Sequence, residues 1–189
     1  MQYNVHFCKI IILTTKVGIM KKIFTIILLF VLVGISSNTS AQNEKFKALF
    51  MYNFTKYIEW PSTMQTGDFL IGILGNSPMR SELEVIASKK KIGDQTIKVL
   101  TFNSINDVSN CHILFIPNEK SASLEEIALR LDGKGVLIIT DKPGLARRGA
   151  AINYIIIDGK QNFEISKNAF NNQHLKVNAA LYTLGTAVD

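Results

Sequence analysis

The chain is predicted to fold as one α/β domain: a mainly parallel sheet flanked by helices on both faces, ending in a C-terminal β-hairpin and further helices. Three observations predict this. Strand-like and helix-like patterns alternate three times between Phe69 and Asp141, the signature of a parallel sheet built from crossover units. The runs FLIGILG (69–75), CHILFIP (111–117) and VLIITD (136–141) are almost continuously apolar, as expected of strands covered on both faces. Residues 42–189, which follow an N-terminal targeting segment, number 148, enough for a single domain with a real core.

The targeting segment is read from three parts in sequence. Lys21-Lys22 supplies a basic end, Ile23 to Ile35 gives thirteen residues without a charge, and SSNTSA then precedes Gln42. This is the order of a secretory signal, with Thr39 and Ala41 at the −3 and −1 places for a cut before Gln42. A membrane span needs roughly 20 apolar residues, so thirteen argue for removal over anchoring. No cysteine lies near the cut to carry a lipid. Met20 is the better start, and residues 1–19, with His6 and Cys8, are expected to play no part in the fold.

Export changes the charge argument. The whole chain carries 21 Lys+Arg and 15 Asp+Glu, a net of +6, but four basic residues and no acidic ones lie in residues 1–41. The mature chain therefore has 17 basic residues against 15 acidic ones, a net of +2. That gives little support to nucleic-acid binding. One cysteine remains, Cys111, so no internal disulfide is expected, and its apolar run favours a buried thiol over a reactive one.

The elements follow in order. LFMYNFTKYIEWP (49–61) places five aromatic residues in thirteen positions. Phe46, Phe50, Phe54 and Tyr57 recur at helical spacing, and Leu49 and Ile58 widen the stripe. A largely buried helix is predicted, stopped at Trp60 because Pro61 biases it away from helical dihedrals. After the strand FLIGILG, Ser77 can cap a helix and Pro78 suits its first position; Leu83, Ile86 and Ala87 face inward, and Lys89-Lys90-Lys91 frays its end. Gly93-Asp94 turns into the strand IKVLTF (97–102), and NSINDVSN connects to CHILFIP. A helix from Ala122 to Leu131 precedes VLIITD. The loop DKPGLARRGA then leads to AINYIIID and QNFEIS, a hairpin across Gly159-Lys160. Lys167 to Val188 reads as helical with a break near Gln173-His174 and an inward stripe of Leu181, Leu184 and Val188.

Chemistry is sparse. No hydrolase elbow, P-loop or dinucleotide fingerprint occurs, and no catalytic residue, metal site or cofactor is expected. Gly72 and Gly75 sit at a strand-to-helix turn where free backbone N–H groups could hold an anion, although any α/β protein shares that context. His112 follows Cys111 in a strand, so the two side chains point to opposite faces and cannot chelate one ion. His174 lacks a partner at metal-ligand spacing. Asp141 ends a strand where sheet ligands often sit. Glu164 points away from Phe163 and Ile165; if that face is covered it needs a cation, for which Arg147 and Arg148 are candidates. The candidates for contact with a ligand or partner are Trp60, Asn76, Ser77, Asp141, Arg147, Glu164 and Lys176.

Taken together, KALFMYNFTKYIEWP, FLIGILGNSP, NCHILFIP and VLIITDKPGLARRGAAINYIIIDGKQNFEISKNA resemble the YfiR-like family, formerly a domain of unknown function, across nearly the whole mature chain. The resemblance implies a periplasmic α/β protein that often dimerises and restrains a membrane-bound diguanylate cyclase, or serves as an input module for kinases and cyclases, so that its output bears on cyclic-di-GMP. It implies no catalysis. Many members carry paired cysteines tied to redox response, and this mature chain has only Cys111. The chain ends at Asp189, so output is expected to pass through a separate inner-membrane protein. The expected function is thus a non-enzymatic periplasmic signalling regulator. The alternative is a small-ligand sensor with a site around Gly75-Asn76-Ser77 and Asp141, and Arg147 supplying charge for an anion. Partner contact is expected through an apolar patch on the C-terminal helices or the final hairpin.

Overall fold

The computed structural model describes residues 38–188, and Gln42–Asp189 form one compact unit. The expected export signal, the start at Met20, His6 and Cys8 lie outside the described residues apart from the backbone of 38–41.

Helix α1 (Asn38–Phe54) leads to a short extended segment β1 (Ile58–Glu59) and then to β2 (Phe69–Leu74). Next come α2 (Met79–Ala87), β3 (Lys91–Ile92), β4 (Gln95–Phe102), β5 (Ile113–Ile116), α3 (Leu124–Arg130) and β6 (Leu137–Thr140). The C-terminal part holds β7 (Ile152–Ile157), β8 (Lys160–Ile165), α4 (Lys167–Asn172), β9 (Lys176–Val177), α5 (Ala179–Leu184) and β10 (Thr186–Ala187).

Eight strands form one sheet in the order β10-β8-β7-β6-β5-β2-β4-β3, while β1 pairs antiparallel with β9 beside it. The five central strands, β7-β6-β5-β2-β4, are parallel. Strand addition therefore starts at β2, goes one way to β4, then reverses past β2 to β5 and onward. Right-handed crossovers place connections on opposite faces when the direction reverses. The packing agrees: Met79 and Leu83 of α2 join the core on one face with α1, whereas Leu124 and Ile127 of α3 join the core on the other. Both faces are covered, which is why β5 and β6 are buried at every position. The hairpin β7–β8 and the C-terminal helices complete the predicted architecture.

Two boundaries differ from the sequence expectation. Helix α1 ends at Phe54 rather than Trp60. Thr55 Oγ1 donates to the Tyr52 carbonyl at 2.7 Å, the backbone tightens into turns, and Ile58–Glu59 straightens to pair with Lys176–Val177. Pro61 constrains only the residue before it; the earlier stop comes from strand pairing across 117 residues of sequence. At the other end, Leu184 is 54 % exposed instead of inward, and only Leu181 and Val188 are buried. Gly185 stops α5 so that Thr186–Ala187 can add to the sheet edge beside β8.

Glycines explain two close approaches. A Cβ on Gly72 would lie 2.4 Å from the Phe102 ring, so glycine lets β4's last side chain cross β2. Gly75 takes φ +77, and its N–H donates to the Phe102 carbonyl at 2.7 Å, so that N–H is already committed.

Candidate functional site

The residues singled out from the sequence are scattered over the fold and do not gather at one site. Trp60 is buried. Its ring meets Phe69 edge-on at 5.0 Å, and its Nε1 donates to the His112 carbonyl at 3.2 Å, so it serves the core. His112 lies beside it, stacked on Phe69 at 4.2 Å. Its Nδ1 accepts the Leu70 N–H at 3.0 Å, and Nε2 is 2.7 Å from the Met64 carbonyl, which requires the proton on Nε2. Burial pushes its pKa down, so the ring is neutral. Cys111 points the other way into the opposite core, and burial pushes its thiol up to about 12. The exposed Lys176 pairs with Glu59 at 3.0 Å on the β1–β9 ribbon.

At the C-terminal end of β2, Pro78 rather than the expected Ser77 is the N-cap of α2, whose first residue is Met79; Ser77 Oγ still accepts the Met79 N–H at 3.3 Å, and Asn76 is exposed. At the C-terminal end of β6, Asp141 is not open to a ligand. Its Oδ2 lies 2.8 Å from Lys47 Nζ, which also reaches Glu44 at 2.8 Å, with all three side chains only 12–14 % exposed. Burial opposes the Lys47 ammonium, but the hydrogen bonds to Asp141 and Glu44 outweigh it and raise its pKa. Tyr154 Oη donates to the Lys47 carbonyl at 2.6 Å and clamps α1 onto β7. Lys47 was not foreseen, because no local pattern joins positions 47 and 141.

Glu164 sits in a polar row across neighbouring strands. Thr140 Oγ1 donates to Asn153 Oδ1 at 2.7 Å, and Asn153 Nδ2 donates to Glu164 Oε2 at 2.8 Å. The face is covered, but a carboxamide partners the carboxylate rather than an arginine; Arg148 pairs with Glu125 instead. Arg147 is exposed on the turn Ala146–Arg148. Among the described residues, no cluster of three or more His, Cys, Asp or Glu side chains could hold a metal ion. No described helix is long and apolar enough to cross a membrane.

A different feature gathers at one flank of the sheet. Phe46, Leu49, Phe50 and Asn53 are spaced on one side of α1, with Phe46 and Leu49 exposed. Phe50 packs on Phe163 of β8 at 6.1 Å and on Phe54 at 6.3 Å. Between α1, the hairpin and α5 lies a cleft of about 400 Å³ whose lining includes Phe50, Tyr57, Gln161, Phe163 and the exposed Leu184. Ile156, paired with Gln161 across the hairpin, is exposed on the same side. β7 runs past β6 from Asn153 onward, so the hairpin tip projects beyond the parallel strands. Several large apolar side chains exposed around one cleft mark an interaction site more often than scattered exposed residues do.

A protein-family model described as YfiR/HmsC-like matches residues 44–186 of the chain. No curated protein matches the chain.

Proposed function

Because the chain belongs to the YfiR/HmsC-like family, whose members are periplasmic regulators of signalling proteins, we propose that it restrains an inner-membrane signalling enzyme by holding its extracytoplasmic part. The partner would be a diguanylate cyclase or a sensor kinase. The protein would reach it after export and cleavage before Gln42.

The observation that supports this reading is the apolar surface joining α1, the β7–β8 hairpin and α5. Phe46, Leu49 and Leu184 gain nothing from solvent and do little for the monomer's core. An aromatic and aliphatic cluster beside a cleft is the anchor-and-pocket arrangement that dominates protein interfaces. The same surface could join two copies of the chain, and a dimer would compete with the enzyme for it.

Affinity capture from crosslinked membranes of native cells tests the proposal. Recovery of a membrane-bound cyclase or kinase is expected, and reduced recovery with Leu184→Glu. Recovery of no signalling protein under these conditions contradicts it.

A further inference from the structure

A large cleft among the described residues lies at the opposite end of the strands from the hairpin tip. It is an open cleft of about 940 Å³ against the N-terminal ends of β2, β5 and β6, within the upper range of small-molecule sites. The crevice at the C-terminal ends of β2, β4 and β5, which takes in the β2/β5 switch point where open sheets of this order commonly bind ligands, holds only about 320 Å³.

The cleft is a built feature. Its near wall, the loop after Pro61, is tied down by buried side chains: the Met64 carbonyl lies 2.7 Å from His112 Nε2 and accepts Gln95 Nε2 at 3.1 Å, and the Thr66 carbonyl accepts Gln95 Nε2 at 3.3 Å. Met64 Sδ would lie 2.8 Å from a Cβ on Gly135, so the loop seats closely on the turn before β6. The far wall is fixed by buried Gln173, whose Oε1 accepts the Val136 N–H at 3.1 Å, and by the Gly133 N–H on the Asn172 carbonyl at 3.1 Å. This wall holds His174 at φ +54, a left-handed conformation that is unfavourable for a non-glycine residue. Such strain is kept only where the surroundings impose it, and it concentrates at functional sites.

Charge then selects the ligand. Asp68, the one carboxylate lining the cleft among the described residues, is paired with Lys98 at 2.7 Å. Lys134 and His174 also line it, are exposed, and have no side-chain partner among the described residues. Pro61, Met64 and Leu70 supply an apolar floor. We propose that this cleft binds a small organic anion with a flat apolar body, its anionic group set between Lys134 and His174 and its body laid on Pro61, Met64 and Leu70.

Trp60 reports on the site, since it is the chain's single tryptophan and its indole bonds the backbone of His112, a lining residue. The probe is 8-anilinonaphthalene-1-sulfonate, an aromatic anion that accepts tryptophan excitation, titrated into the folded protein purified from its native cells. Saturable one-site quenching of Trp60 emission is expected. Affinity should fall about tenfold or more for the neutral analogue N-phenyl-1-naphthylamine and for Lys134→Glu combined with His174→Asn. Asparagine tolerates the left-handed conformation, so replacing His174 adds no strain while Lys134→Glu reverses the charge beside it, and an unchanged thermal midpoint verifies the fold. Leu184→Glu should leave probe binding unaltered. Non-saturable quenching, equal affinity for the neutral analogue, or loss of binding in Leu184→Glu with retention in the cleft variant would overturn the proposal.

Discussion

Lys47 connects helix α1 to the end of a central strand through one carboxylate, and Asp141 Oδ1 is buried with no hydrogen-bond partner among the described residues. Removing one member of a buried ion pair leaves the other charge uncompensated. Lys47→Ala should therefore destabilise the protein by about 3 kcal/mol. A urea titration would measure this, and adding Asp141→Asn should restore part of the loss. Sequence reading found Asp141 but not its partner, since a contact 94 residues apart leaves no periodic trace.

Stability should also depend on pH through named groups. His112's folded pKa lies below its ordinary 6.5, so below that pH the unfolded chain binds a proton that the native ring refuses, and stability falls as pH falls. Cys111, Tyr154 and Lys47 have raised values, so the native state retains protons that the unfolded chain releases, and stability falls as pH rises above 9.0, the ordinary thiol value. Urea midpoints should thus be highest between about pH 6.5 and 9. His112→Gln should flatten the acid limb relative to wild type; an unchanged limb would show that His112 does not drive it.

At the scale of elements, the alternating strands and helices were legible because each central strand is covered on both faces and reads as an apolar run. The C-terminal segment was less so. Leu181, Leu184 and Val188 fit a helical stripe, yet Gly185 diverts the chain into β10, a choice set by Phe163 on another strand. A Cβ at Gly185 would lie 2.5 Å from the Phe163 ring and 2.8 Å from its carbonyl oxygen. Gly185→Ala should cost about 1–3 kcal/mol through overpacking and loosen β10, read as faster amide exchange at Val188, whose N–H donates to the Ile165 carbonyl. Leu184→Glu, one residue earlier, should change stability by less than about 0.5 kcal/mol, since its side chain is largely in water. The contrast separates residues that hold the edge strand from those that offer a surface. The breadth of the α1 stripe carried a clue to that surface: Phe46 and Leu49 exceed what one helix face can bury.

Across the whole molecule, the two ends of the sheet have different character. Near the hairpin tip, apolar side chains on α1, β7 and α5 face outward around a narrow cleft. At the N-terminal strand ends, a larger cleft presents Lys134 and His174 over an apolar floor. A regulator that holds one partner at the first and a small anion at the second could couple them through the strands, and any such coupling would be reciprocal. Family membership was readable from the order of several segments along the chain, whereas the surfaces depend on which side chains the fold leaves uncovered.

The most direct test places a photo-crosslinking amino acid at Leu184 in native cells and identifies what it captures. A covalent adduct with the extracytoplasmic part of an inner-membrane cyclase or kinase is predicted, and its loss when Phe46→Glu and Leu49→Glu are added. Adducts confined to other copies of the chain, or an enzyme adduct that persists with both glutamates in place, would contradict the account.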